Sequence, residues 1–178
     1  MIIIGLDTSL TATGVAVLQP EPVPQCAVYT ITVKPTTESS PEAAELRRMR
    51  SIVARIDALD SGPGPSLVAM EGPSLASRNG KAHERAGLWW LVYEHVTEVW
   101  QVPVVVIRPT ARAKYATGSG NAGKDQVMLA AARRYPDFPI TNNNEADAVI
   151  LAAMGARLLG APIDRLPAKH LEPIKNLS

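Results

Sequence analysis

The sequence predicts an α/β domain with a five-stranded mixed β-sheet flanked by helices. Two observations indicate this fold class: three strand-like segments precede the first helix-like segment, and a further apolar strand follows that helix. The chain has 178 residues, of which 46% are hydrophobic, so it can bury one sizeable core but has little room for a second. We therefore expect a single domain over residues 1–159, followed by a C-terminal tail over residues 160–178.

The first half of the chain supplies three strands, a helix and a fourth strand. Residues 2–7 form a continuous apolar run, and residues 13–18 and 28–33 follow closely enough to complete an antiparallel meander. The Ser-Pro-Glu segment at residues 40–42 is typical of a helix start, with an N-cap serine and proline at the first helical position. Residues 67–71 form the fourth strand. Because a helix precedes it, we expect parallel pairing with an earlier strand.

The second half is mainly helical. Residues 82–100 predict a long helix whose apolar side chains lie on two stripes, which is more than the cover of one sheet requires. We therefore expect part of this surface to be buried in a homodimer. Residues 102–107 predict the fifth strand, and residues 126–134 and 144–159 predict two further helices. From Gly160 the periodicity vanishes and prolines recur, which indicates the tail.

Composition restricts where the protein works. The longest apolar runs are far shorter than the roughly 20 residues that span a bilayer, and the N-terminal segment lacks the basic region of a signal peptide. The sequence thus predicts neither membrane insertion nor secretion. Cys26 is the only cysteine, which excludes an intrachain disulfide and a multi-cysteine metal site and favours a cytoplasmic location.

Two apolar strands end directly on an acidic residue, Asp7 in the first strand and Glu71 in the fourth. Ligands of open α/β sheets bind outside the carboxyl ends of the strands, and neighbouring strands lie about 4.8 Å apart. If these strands are adjacent and parallel, the two carboxylates lie side by side and repel each other. A divalent cation that prefers oxygen ligands, magnesium or manganese, would relieve this repulsion. Either acid alone could instead cap a turn.

A third acid lies near the start of the last predicted helix. Asp147 shares one helical face with Ile150 and Leu151, so we expect it to point toward the sheet. Asn144, three residues before Asp147, shares that face. Glu145 lies on another face, where we expect it to interact favourably with the helix dipole. Asp147 alone could simply cap its own helix.

Basic residues are concentrated in the middle of the chain. Residues 72–134 contain nine basic and four acidic side chains, whereas the segments on either side carry a net negative charge. A solvated mixed surface could produce this division, but it also suits a polyanion lying beside an acidic site.

Four segments occur in a characteristic order: residues 5–18 (GLDTSLTATGVAVL), residues 70–71 (ME), residues 118–127 (GSGNAGKDQV) and residues 145–148 (EADA). In this order and spacing, which extend over residues 1–158, the chain resembles the RuvC-type Holliday-junction resolvases of the ribonuclease H-like superfamily. The segments are similar, in turn, to the first hairpin, the second acid, the loop before a helix and the final acidic helix of that family.

This resemblance implies a ribonuclease H-like fold and a homodimeric endonuclease that cuts two opposing strands of a four-way DNA junction. It also implies two bound magnesium or manganese ions, held by Asp7, Glu71 and Asp147, with Lys124 near the scissile phosphate. Hydrolysis at such a site leaves a 5′-phosphate. The basic residues that we expect to contact DNA, if they face the same side as the acids, are Arg78, Lys81, Arg85, Arg108, Arg112 and Lys114.

The chain departs from the family pattern at two places. Family members often place an acid or a histidine three residues before the last aspartate, where this chain has Asn144, so we expect a different metal affinity or metal choice. The family also uses an aromatic wedge shortly after the second acid to unstack junction bases. Residues 72–80 contain no aromatic residue, and Leu75 would have to act as an apolar wedge.

Three other functions compete with a nuclease. Residues 118–124 match the phosphate-binding pattern GxxxxGK, but Asp125 replaces the Ser or Thr that should ligate magnesium, and no predicted strand runs directly into Gly118. An actin-like or sugar-kinase-type phosphate-binding domain also opens with Gly-Leu-Asp-Thr-Ser and a hairpin, but this chain is too short for the second lobe. Acids at all three expected positions argue against a catalytically inactive DNA-binding relative.

Overall fold

The computed structural model describes residues 1–59, 64–73 and 81–177, and five strands in these ranges form a single sheet. The strands are β1 (Ile3–Asp7), β2 (Thr13–Gln19), β3 (Gln25–Ile31), β4 (Leu67–Glu71) and β5 (Val104–Ile107), in the order β3-β2-β1-β4-β5. Strand β2 runs antiparallel to β1 and β3, whereas β1, β4 and β5 are parallel. The predicted mixed sheet, including parallel pairing after the first helix, is confirmed.

Helices cover both faces of this sheet. They are α1 (Pro41–Asp57), α2 (Ala82–Glu94), α3 (Pro109–Thr117), α4 (Lys124–Arg134), α5 (Asn143–Leu158) and the short α6 (Ala168–Leu171). Helices α1 and α2 enclose a core with one face of the sheet, and α3, α4 and α5 enclose a second core with the other face. Within the described ranges, no helix combines the length and apolar character needed to cross a membrane.

Three elements differ from the sequence prediction. The predicted helix over residues 82–100 remains α-helical only to Glu94 and continues as a π-helical turn over His95–Val99. Strand β3 begins and ends earlier than predicted, because its alternating exposure makes its limits depend on pairing with β2. Helix α3 was not predicted, although Pro109 at its first position is a typical helix-start signal.

Helix α5 packs backbone to backbone against the sheet. A β-carbon added to Gly5 would lie 2.0 Å from the carbonyl oxygen of Ala148, and one added to Gly14 would lie 2.1 Å from that of Asn144. Only a residue without a side chain allows this approach. Because Gly14 pairs with Asp7 across β2 and β1, the contact brings the start of α5 next to the carboxyl end of β1.

The C-terminal residues pack on the α5 side of the molecule. Asp164, whose side chain is 4% exposed, forms an ion pair with Arg157. It also accepts hydrogen bonds from the hydroxyl groups of Tyr115, at 3.0 Å, and Tyr135, at 2.5 Å. Apolar tail residues, including Leu166, pack against the same core. The segment expected as a tail is thus anchored by a buried charge.

Candidate active site

Asp7 and Glu71 end two adjacent parallel strands. The register pairs Leu6 of β1 with Met70 of β4, so Asp7 and Glu71 occupy the next position on each strand. Side chains alternate along a strand, and Ala69, two positions before Glu71, packs in the core on the α5 side. The two carboxylates are therefore directed toward α5, as expected for adjacent parallel strands.

Asp147 approaches the same place from the first turns of α5. It is 2% exposed and faces the sheet, as its helical position predicts. The start of the helix is fixed by Asn142, whose side chain accepts a hydrogen bond from the backbone N–H of Glu145 at 3.0 Å. Glu145 itself accepts hydrogen bonds from the hydroxyl of Thr30 and the backbone N–H of Thr141, each at 2.7 Å. Glu145 therefore ties α5 to β3 and is not part of the acidic cluster.

Arg112, one of the basic residues expected to contact DNA if it faced the same side as the acids, lies between the carboxylates and lines the cleft above them. Its Nε donates to Oε1 of Glu71 at 2.5 Å, and its Nη1 donates to Oδ1 of Asp147. The residue is 7% exposed. Helix α3 starts at Pro109, shortly after β5, and directs Arg112 inward toward the acids, so the alternative of a surface residue near the strand end does not apply to Arg112. Sequence reasoning missed this placement because it did not predict α3.

The cluster contains more negative than positive charge. Burial, reinforced by the nearby carboxylates of Glu71 and Asp147, raises the pKa of Asp7 well above its ordinary value. Burial also raises the pKa of Asp147 to about 6, although Arg112 and Lys124 act in the opposite direction. One buried guanidinium thus lies among three acidic side chains, and additional positive charge at the site would stabilise their ionised forms.

An open cleft of about 650 Å³ lies over these residues. Four side chains that were expected at the site line it: Asp7, Glu71, Lys124 and Asn144. Lys124 is the first residue of α4, where the preceding backbone N–H of Gly123 is satisfied by the side chain of Gln126 at 2.9 Å. From the opposite side α2 contributes Arg85 and Trp89, and the indole N–H of Trp89 donates to the backbone carbonyl of Glu71 at 2.8 Å.

The residues fit a divalent cation in chemistry and in charge. Buried carboxylates and an amide oxygen are the donors that magnesium prefers, and they repel one another until a cation neutralises them. Among the described residues, however, no three acidic, histidine or cysteine side chains are arranged to hold an ion as they stand. The ion pairs of Arg112 with Glu71 and Asp147 account for this, since they engage oxygens that an ion would require.

Among the described residues, the basic side chains expected to contact DNA lie at different places relative to the cleft. Arg85 lines the cleft, whereas Lys81 precedes α2 and pairs with Glu45 at 2.9 Å. Arg108 and Lys114 line a separate depression beyond α3.

The remaining residues expected to contact DNA lie away from the acidic cluster or outside the described residues, and the GxxxxGK segment does not follow a strand. In the separate depression, Lys114 forms an ion pair with Glu172 of the C-terminal segment. Arg78 and the expected wedge Leu75 lie outside the described residues. Gly118 caps the end of α3 with a φ of 81°, so the GxxxxGK segment follows a helix and lacks the strand that precedes a nucleotide-binding loop.

Solved structures of Holliday-junction resolvases are similar to this one. RuvC of Thermus thermophilus matches with a TM-score of 0.64 at 23% identity, over 90% of this chain and 98% of that chain. T. thermophilus RuvC in complex with a Holliday junction substrate also matches with a TM-score of 0.64, at 21% identity over 85% and 90% of the two chains. The Fowlpox virus resolvase in complex with Holliday junction DNA matches with a TM-score of 0.57 at 13% identity, over 89% and 99%.

These similarities are structural. No protein-family profile matches the chain, and no curated protein matches its sequence. The chain has the ribonuclease H-like fold of the resolvases, so the fold expected from the ordered sequence motifs is confirmed.

Proposed function

We propose that this protein is a structure-selective endonuclease that cuts four-way DNA junctions by metal-assisted hydrolysis of phosphodiester bonds. The observation that carries the proposal is the convergence of three acids from two strands and a helix: Asp7 and Glu71 line an open cleft, and Arg112 joins Glu71 to the buried Asp147. The similarity of the fold to resolvases solved with Holliday junctions supports the choice of substrate.

The residues of the site have two proposed roles, metal binding and attraction of the phosphate. Asp7, Glu71 and Asp147 would hold magnesium or manganese, and Asn144 would add a neutral oxygen. When bound, these ions supply an activated water and stabilise the leaving oxygen, which yields a 5′-phosphate product. Lys124 is the first residue of α4, so its ammonium group and the positive end of the helix dipole would attract a phosphate to the cleft.

DNA contact extends from the cleft across its basic rim. Arg85 and Lys124 line the cleft on opposite sides and provide positive charge for the backbone at the reacting phosphate. Lys81, Arg108 and Lys114 lie outside the cleft and would contact other arms of a junction. Such phosphate contacts make binding fall steeply with salt.

A homodimer would place two such clefts on one junction. Two opposing strands are cut, and each requires its own cluster of carboxylates. Apolar side chains remain exposed on the α2 side of the molecule, with Trp90 at 63% and Val99 at 64% exposure. Burial of this surface against a second copy supports the dimer.

Cleavage of a synthetic immobile four-way junction with magnesium or manganese tests the proposed function. The parent protein should produce paired nicks, and Asp7→Asn and Asp147→Asn should abolish them while junction binding persists. Asp137→Asn makes the same chemical change at an exposed turn and should cut like the parent. Linear duplex run in parallel distinguishes a structure-selective nuclease from a general one. Equal cleavage by all four proteins would reject the proposed site.

A second function is favoured by one observation. Arg112 engages two of the three carboxylates, which is an arrangement that a junction-binding protein without nuclease activity could retain. Such a protein would bind the four-way junction with equal affinity in the presence of Mn²⁺ and EDTA and would cut it in neither.

A further inference from the structure

The contacts of Arg112 connect three parts of the fold. Its guanidinium, carried by α3, joins the carboxylate of Glu71 at the end of β4 to that of Asp147 on α5. These partners are 41 and 35 residues away in the sequence. A planar guanidinium has five N–H donors in a fixed fork, so it can hold two carboxylates in one set geometry, whereas an ammonium group has three donors without such a plane. Arg112 therefore keeps the acidic cluster assembled without a metal ion.

The same contacts oppose a metal ion. Oε1 of Glu71 and Oδ1 of Asp147 are among the oxygens that the proposed ions would take, and both already accept hydrogen bonds from Arg112. A guanidinium adjacent to these oxygens also repels a dication at short range. A cation can enter the cluster only if Arg112 leaves at least one of the two carboxylates.

The surroundings of Arg112 allow such a movement. Arg112 is largely buried, but it also lines the open cleft. The cleft therefore offers space into which its side chain can rotate. The required movement is a rotation about side-chain bonds of Arg112, which does not need the backbone of α3 (Pro109–Thr117) to move. Displacement of the side chain is thus compatible with an unchanged fold.

We propose that Arg112 is a displaceable internal cation, which holds Glu71 and Asp147 together before metal binding and competes with the divalent ions for them. This inference rests on the metal site of the proposed function and adds a regulatory property to it. The acids are held in place before a metal ion binds. The metal concentration needed for binding rises with the strength of the Arg112 ion pairs, because the ion has to displace them.

Direct measurement of Mn²⁺ binding by electron paramagnetic resonance tests this competition without DNA or cleavage. Arg112→Gln removes the charge and should bind Mn²⁺ about tenfold more tightly than the parent. Arg112→Lys keeps the charge but loses the two-carboxylate geometry, so its affinity should lie between the two. Arg133→Gln, at an exposed position in the last turn of α4, is the matched control and should bind like the parent.

Thermal unfolding provides a second measurement. Without metal, Arg112→Gln should have a lower Tm than the parent, because the carboxylates lose their counter-charge, and Mn²⁺ should raise its Tm by more than it raises that of the parent. Circular dichroism establishes that each variant is folded. If Arg112→Gln does not fold without metal, the Mn²⁺ affinity of Arg112→Lys is the deciding measurement. A Mn²⁺ affinity of Arg112→Lys equal to that of the parent overturns the proposal.

The outcomes separate this inference from the nuclease proposal. Mn²⁺ binding by folded Arg112→Gln that is no tighter than binding by the parent overturns the role of Arg112, even if the parent cuts junctions. Tighter binding by Arg112→Gln supports that role, even if the parent cuts no junction and the nuclease proposal fails. Absence of Mn²⁺ binding in all four proteins overturns the inference together with the metal site.

Discussion

At the scale of single residues, the candidate site is defined by acids placed where solvation cannot stabilise their charge. Asp7 and Asp147 are both buried, and burial raises the pKa of each. Arg112 offsets part of this cost, but it is one cation among three acids. Repulsion among the buried acids is therefore only partly compensated, and a divalent cation could compensate the rest. In the metal-free protein, this repulsion should lower the free energy of unfolding.

We expect the stability of the metal-free protein to fall as pH rises through the titration range of Asp147. Its pKa is raised from 3.8 to about 6 in the folded state, so folding favours the protonated form. The group therefore destabilises the fold progressively as pH rises from about 4 to above 6, by at most about 3 kcal/mol. Urea unfolding in EDTA from pH 4 to 7 measures this slope.

Asp147→Asn should flatten the pH dependence of the unfolding free energy. Asp7 contributes in the same direction, so part of the slope should remain in this variant. Asp137→Asn should keep the full slope of the parent. A slope that is unchanged in Asp147→Asn would contradict the raised pKa.

At the scale of secondary-structure elements, the position of α5 decides whether the three carboxylates meet. The helix lies directly on β1 and β2 because Gly5 and Gly14 have no side chains to hold it away. The cap formed by Asn142 and the hydrogen bonds of Glu145 then fix its first turn relative to β3. The third carboxylate is therefore positioned by backbone packing as much as by its own contacts.

Gly14→Ala should displace the start of α5. Its β-carbon would lie 2.1 Å from the carbonyl oxygen of Asn144, so backbone has to move. We expect a loss of stability of roughly 1–3 kcal/mol, and weaker Mn²⁺ binding because Asp147 moves with the helix. Denaturant unfolding and Mn²⁺ titration measure the two effects.

Gly87→Ala is the control for this substitution. The new β-carbon would meet only the flexible side chain of Met49, at 3.4 Å, and alanine favours the helical conformation of α2. This variant should be as stable as the parent or slightly more so, with unchanged Mn²⁺ binding. If Gly14→Ala behaves in the same way, the close packing of α5 does not position the site.

At the scale of the whole molecule, the sheet separates two cores with different tasks. Helices α1 and α2 pack on one face, and apolar side chains of α2 and the turn after it remain exposed there. Helices α3, α4 and α5 pack on the other face, and the C-terminal segment packs against the same core. The first face supplies the surface on which the proposed dimer would form. The second holds Asp147 and Arg112 in place and is closed by the ion pair of Asp164 with Arg157.

Asp164→Asn should release the C-terminal segment. Asp164 is a buried acid paired with Arg157 and hydrogen-bonded to Tyr115 and Tyr135, so the substitution removes the counter-charge of that guanidinium. We expect a destabilisation of about 3 kcal/mol and faster trypsin cleavage within the segment. Glu172→Gln, which removes an exposed ion pair, should change neither measurement. Equal trypsin resistance of both variants and the parent would contradict this anchoring role.

Trp90→Lys should weaken the proposed dimer. The indole is exposed on α2, so a charge there costs little in the monomer but opposes burial against a second copy. Sedimentation velocity should show the parent as a dimer and Trp90→Lys shifted toward monomer. Leu129→Lys changes an apolar residue with 51% exposure on α4 and should leave the dimer intact. A parent that sediments as a monomer would argue against the dimer.

The sequence alone determined the order of the five strands, the mixed sheet and the fold, but not helix α3. Apolar runs, helix-start residues and helical periodicity are local properties, and local properties are readable without a structure. The same holds for Asp7 and Glu71 at their strand ends and for Asp147 on the inner face of its helix.

Only the tertiary structure decided what lies between those acids. In the sequence, Arg112 is one basic residue in a basic segment, and nothing near it indicates that two carboxylates 41 and 35 residues away accept hydrogen bonds from its guanidinium. The anchoring of the C-terminal segment by Asp164 is equally non-local. Ion pairs of this kind leave no periodic pattern, because they depend on where the folded backbone brings single side chains together.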